Sequence, residues 1–81
     1  MAQGLIWTEP AWRDLEQTAD YIAQDSPTYA EAFVYRVRSA AESLRDLPRR
    51  GRIVPELGDE ITRELLIGNY RLMYEIRPDA L

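Results

Sequence analysis

All the positive charge of this 81-residue chain comes from ten arginines; there is no lysine and no histidine. The usual proton-transfer group at neutral pH is therefore missing. Cysteine is absent too, which excludes a disulfide framework and a thiolate metal site. What remains for chemistry is arginine and carboxylate. Arg49, Arg50 and Arg52 cluster in PRRGRIVPELGDE, residues 48–60, and Arg71 lies inside NYRLMYEIRPDAL, residues 69–81. A guanidinium grips carboxylate or phosphate in a two-point fork, so these positions are candidate anchors for an anion or a partner. The plain alternatives are a solvated Arg71 paired with a nearby acid such as Glu75, and loop arginines that offset the end of the preceding helix. Glu64 and Glu75 are carboxylates of the kind that act as bases beside arginine. No nucleophile stands beside a base, no acids or histidines have metal-ligand spacing, and no glycine loop suits phosphate. No cofactor or metal is expected.

Fourteen acids against ten bases give a net charge of −4, which argues against direct DNA binding through phosphate neutralisation. With 46% hydrophobic residues the chain can build a core, and residues 1–81 read as one domain. No apolar run approaches a membrane span, and MAQGLIWTEP lacks the regions of a signal peptide. A cytoplasmic protein is expected.

The elements that must carry these residues follow from spacing. Leu5–Thr8 is a short strand candidate, with Thr8 capping a helix that has Pro10 in its first turn. Trp12, Leu15, Ala19 and Ile22 give that helix an apolar stripe as far as Gln24. Asp25-Ser26-Pro27 breaks the chain, and Ser26 caps a second helix marked by Ala30, Phe33, Val37, Ala40 and Leu44, ending at Leu47 before Pro48. So short a break predicts an antiparallel helical hairpin. Tyr21, Tyr29 and Tyr35 flank the stripes. Residues 48–60 read as a loop. Gly68-Asn69 then predicts a hairpin between 61–67 and 70–77, with Ile67 facing Tyr70, Leu65 facing Leu72 and Arg63 facing Tyr74 on the core side. Leu66 with Arg71, and Glu64 with Met73, fall on the other, mixed face. The whole is an α+β layer: N-terminal strand, helical hairpin, then a C-terminal antiparallel meander. The turn signal Arg77–Ala80 predicts one more strand, falling beyond Leu81, and an open edge on strand 70–77 that pairs with a second copy or borrows a strand.

Three stretches, in this order and spacing, carry a resemblance: WTEPAWRDLEQTADYIAQDSP, then LPRRGRIVPE, then RELLIGNYRLMYEI. Together they resemble the ParE branch of the RelE/ParE toxin superfamily over nearly the whole chain. The resemblance implies the toxin of a type II toxin–antitoxin system of the plasmid-stabilisation kind, neutralised by a ParD-like cognate antitoxin. ParE-like members imply inhibition of DNA gyrase by binding. RelE-like members imply ribosome-dependent mRNA cleavage, in which Arg71 falls at a phosphate-contacting position. A binding protein is expected, with Leu66, Arg71, Met73, Arg49, Arg50 and Arg52 as partner-facing residues. The enzymatic alternative is an endoribonuclease using Arg71 and Arg63. A third reading is a shortened, non-toxic binding module.

Overall fold

Thr8 and Ser26 set the frame. In the computed structural model, which describes residues 4–77, the Thr8 hydroxyl accepts from the Ala11 N–H at 3.2 Å and starts α1, Glu9–Ala23. The Ser26 hydroxyl accepts from the Tyr29 N–H at 3.1 Å and starts α2, Pro27–Ser43. Each satisfies one of the N–H groups a helix leaves unpaired at its start. A proline lies in each first turn, where its missing N–H removes nothing. The two helices pack on each other as a hairpin.

Among the described residues, three strands follow as an antiparallel sheet in the order β1-β2-β3: β1 Arg52–Ile53, β2 Thr62–Ile67 and β3 Tyr70–Glu75. The expected hairpin register holds, with Ile67 opposite Tyr70, Leu65 opposite Leu72 and Arg63 opposite Tyr74. Gly68 takes φ +60, while no non-glycine residue among the described ones has positive φ. That is the pattern of a II′ turn, in which the first central residue must be left-handed. The inner face closes on the helices: Leu15 of α1, Phe33 and Val37 of α2 and Ile67 of β2 form the core, with Trp7, Ile22, Val34, Ala40 and Leu72 packed against it.

Two local expectations change. Leu5–Thr8 joins no ladder, and only Gly4 forms an isolated bridge; the segment is used instead to cap α1 and to place Trp7 against the core. Residues 48–60 are not all loop, because Arg52 and Ile53 pair with Glu64 and Arg63. Two prolines and two glycines hide so short a strand from any periodicity argument. Trp12, expected in the core stripe, lies at its margin, edge-on to Trp7 at 5.7 Å and beneath the Arg38 guanidinium at 5.9 Å. Tyr21, Tyr29 and Tyr35 are exposed. The Arg77–Ala80 turn lies outside the described residues beyond Arg77. No described helix is long and apolar enough to cross a membrane.

Candidate functional site

The outer sheet face carries Arg52, Glu64, Leu66, Arg71 and Met73, as the pairing of Arg52 with Glu64, Glu64 with Met73 and Leu66 with Arg71 requires. Its centre is Glu64. Although it points away from the helices, it is only 1% exposed, as buried as Leu44 of the core. Arg52 donates Nε to one carboxylate oxygen at 2.6 Å and Arg71 donates Nη1 to the other at 3.0 Å. The same Arg71 nitrogen also donates to Glu56 at 2.8 Å. Two arginines and two glutamates thus form a neutral cluster that ties all three strands to the β1–β2 loop. A buried carboxylate persists only where such partners replace its lost hydration.

The electrostatics follow the geometry. The hydrogen bond from Arg71 is the main cause holding the Glu56 carboxyl below its ordinary value of 4.5, with smaller help from the charges of Arg71 and Arg52. The bond to Glu56, then its charge and that of Glu64, push the Arg71 guanidinium up from its ordinary value.

A second network fixes the loop. The Tyr74 hydroxyl donates to the Pro48 carbonyl at 2.6 Å and accepts from the Gly51 N–H at 2.9 Å. A Cβ at Gly51 would come within 2.6 Å of that hydroxyl and 2.7 Å of the Glu64 carbonyl oxygen, so the close approach of β1 to β2 and β3 needs glycine there. Arg63 braces the same corner, donating to the carbonyls of Gly51 at 3.0 Å and Glu60 at 3.1 Å.

The predicted residues are therefore divided. Arg52 and Arg71 meet at Glu64, and Leu66 and Met73 flank them, 58% and 46% exposed. Arg71 pairs with Glu56 and Glu64; Glu75, the partner expected for a solvated arginine, binds Arg77 at 2.6 Å instead. Arg50 bonds the Ser43 hydroxyl. Arg49 is exposed and has no carboxylate within ion-pair distance among the described residues. Arg63 and Arg71 belong to opposite sheet faces and are not brought together. Sequence reasoning missed Glu64 as the centre and Glu56 altogether. The available signal was Glu64 at an outer-face position, two residues from the one Arg71 faces across the hairpin, but β1 had to be seen before Arg52 could join them. No group of three potential metal ligands occurs among the described residues.

Residues 5–81 match the family described as the ParE toxin of type II toxin-antitoxin system, parDE. A similar protein is Toxin RelE2 of Caulobacter vibrioides, 42% identical over 67 residues, which are 83% of this chain and 70% of that protein.

Proposed function

The chain belongs to the ParE toxin family of type II toxin–antitoxin systems, and we propose that it arrests growth by binding DNA gyrase in the cytoplasm rather than by cleaving mRNA. A toxin of this class has an antitoxin partner. The observation that carries the reading is the occupancy of Arg71. Its guanidinium is held by two carboxylates, 2.8 and 3.0 Å away, so a phosphate arriving there meets negative charge. Arg63, the other residue an endoribonuclease would use, faces the opposite side of the sheet. Around Arg71 the face is instead that of a protein-binding surface, with exposed apolar Leu66 and Met73 beside a charge.

The RNase reading stays second because a relative carries the name Toxin RelE2. Purified protein should inhibit gyrase supercoiling and leave ribosome-bound mRNA intact. Ribosome-dependent cleavage that disappears in Arg71→Ala would reverse the order of the two readings.

For the antitoxin we propose the same outer face: Leu66 and Met73 as apolar anchors on either side of the Arg71 and Arg52 guanidinium groups, which Glu64 and Glu56 hold in place for contacts to neutral acceptors such as backbone carbonyls, with Arg49 and Arg50 in the loop before β1 as the cations left for an acidic segment. Arg71→Glu should weaken antitoxin binding on the order of tenfold or more, since it reverses an interfacial charge. Leu66→Ala, which leaves the buried carboxylate untouched, should also weaken it. Calorimetric titration that finds both variants unchanged places the antitoxin elsewhere.

A further inference from the structure

The two carboxylates on Arg71 are placed differently. Glu64 has no exposed side-chain surface and binds both arginines, so it belongs to the sheet itself. Glu56 comes from outside. Its side chain is 59% exposed, it bonds Arg71 alone among the described residues, and it does so through the same Nη1 that Glu64 uses. The chain around it builds that position. Val54 is fully buried, and its carbonyl accepts from the Leu57 N–H at 3.1 Å and the Gly58 N–H at 2.9 Å. Pro55 stands second in the turn so formed, where its fixed φ suits, and Glu56 stands third. Asp59 then accepts from the Ile61 and Thr62 N–H groups at 3.0 and 2.7 Å and returns the chain to β2. Glu56 is thus presented to Arg71 by a turn tied down on both sides.

Charge decides what this placement does. With Glu56 in place, two arginines meet two glutamates and the cluster is neutral. Without it, the same cluster is left with one positive charge, on guanidinium groups whose side chains are 57% and 43% exposed. Only Nε of Arg52 and Nη1 of Arg71 are engaged by side chains among the described residues. Both forks therefore keep N–H groups for a further oxygen-bearing ligand. We propose that Glu56 is the residue that sets what the outer face accepts. In place, it limits Arg52 and Arg71 to neutral acceptors and turns oxyanions away. Displaced or neutralised, it leaves a two-arginine seat for an oxyanion, whether carboxylate or phosphate. Glu64 cannot act as this gate, because it lies beneath the surface and its charge is already shared between two cations. A carboxylate of a partner enters only by exchange with Glu56, which leaves the charge of the cluster unchanged. This selectivity is the same whichever target the toxin binds, since it depends on the cluster alone.

The test is an NMR titration of the isotope-labelled full chain with inorganic phosphate near neutral pH, read on backbone and arginine side-chain N–H signals. Three proteins are compared: the wild type, Glu56→Gln and Glu75→Gln. Glu75 lies on the same sheet face but binds Arg77 and not Arg71, so its substitution makes the same change in net charge away from the seat. Glu56→Gln should bind phosphate at least about tenfold tighter than the wild type, because a like charge has left the site. Its largest shifts should fall on Arg52 and Arg71. Glu75→Gln should stay within about twofold of the wild type, because a remote exposed charge is screened. The same spectra report that each variant is folded, and Glu56→Ala repeats the measurement with a side chain that cannot bond Arg71 at all. Phosphate binding no tighter in both Glu56 variants than in Glu75→Gln overturns the proposal. So does a gain whose shifts fall away from Arg52 and Arg71.

Discussion

The two faces of the sheet are held by different physics. On the inner face Ile67 and Leu72 meet Leu15, Phe33 and Val37. That contact is non-directional, survives small shifts, and gains roughly 1.5–3 kcal/mol for each large side chain fully buried. On the outer face the most buried side chain is a carboxylate, Glu64, held from two strands by Arg52 and Arg71. There the gain depends on geometry: a charge removed from water costs several kcal/mol unless its partners stay in place. One face therefore tolerates displacement but not loss of volume. The other does not tolerate displacement of the charged partners that surround its buried carboxylate.

The largest break in the comparison should come from Phe33→Ala. Phe33 is 6% exposed and touches Tyr70 edge-on, with ring centroids 5.1 Å apart. Truncating a buried phenylalanine costs about 3–5 kcal/mol, a large share of the stability of so small a protein. The urea midpoint should fall steeply, by a similar amount at any pH where the wild type is folded. A loss below about 1 kcal/mol would mean that α2 does not anchor the inner face.

Glu64→Ala should come next, at about 2 kcal/mol, because it removes two charge-assisted hydrogen bonds and turns two guanidinium groups toward each other. Both arginines are partly exposed and can rotate into water, which keeps the effect below that of Phe33→Ala. Chemical denaturation that finds Glu64→Ala neutral would show that burying the carboxylate cancels what its partners return.

Gly51→Ala probes the corner where the faces are tied together. Its Cβ would press on the Tyr74 hydroxyl and on the Glu64 carbonyl, and overpacking of this kind costs about 1–3 kcal/mol. Thermal melts should place it at or just below Glu64→Ala. No change in melting temperature would mean that β1 can move away from β2 at no cost, and that the outer cluster does not depend on its position.

The same contrast explains what could be read from sequence. Leu15, Phe33, Val37 and Ile67 announce themselves through the 3.6- and 2-residue periods. Thr8, Ser26 and Gly68 mark their own turns, so the helices, the hairpin register and the inner core were legible. The outer cluster was not, because its parts lie at 52, 56, 64 and 71 and meet only once a two-residue strand is paired. Nothing in Arg52-Ile53-Val54-Pro55 has a period long enough to announce that strand. Leu5–Thr8 failed in the other direction: it has strand composition, but caps α1 without joining the sheet.

The smallest effect separates the faces by pH. Glu56 stands in the β1–β2 loop with its side chain 59% exposed, and bonds Arg71. That bond lowers its carboxyl below the ordinary 4.5. A group whose folded value is depressed contributes stability that is fully present above the unfolded value and is lost as pH falls through the folded one. The wild type should thus hold a small advantage over Glu56→Gln near neutral pH. The two should converge as the solution is acidified well below 4.5, where Glu56 is protonated and the ion pair is gone. Exposure and salt screening keep the difference small. Phe33→Ala, by contrast, should differ from the wild type by a nearly constant amount across the same range, because no titrating group is removed. Paired melts of the three proteins over an acid series test this directly. If the gap between Glu56→Gln and the wild type does not narrow on acidification, the Arg71–Glu56 bond contributes no stability, and the outer cluster rests on Glu64 with Arg52 and Arg71 alone.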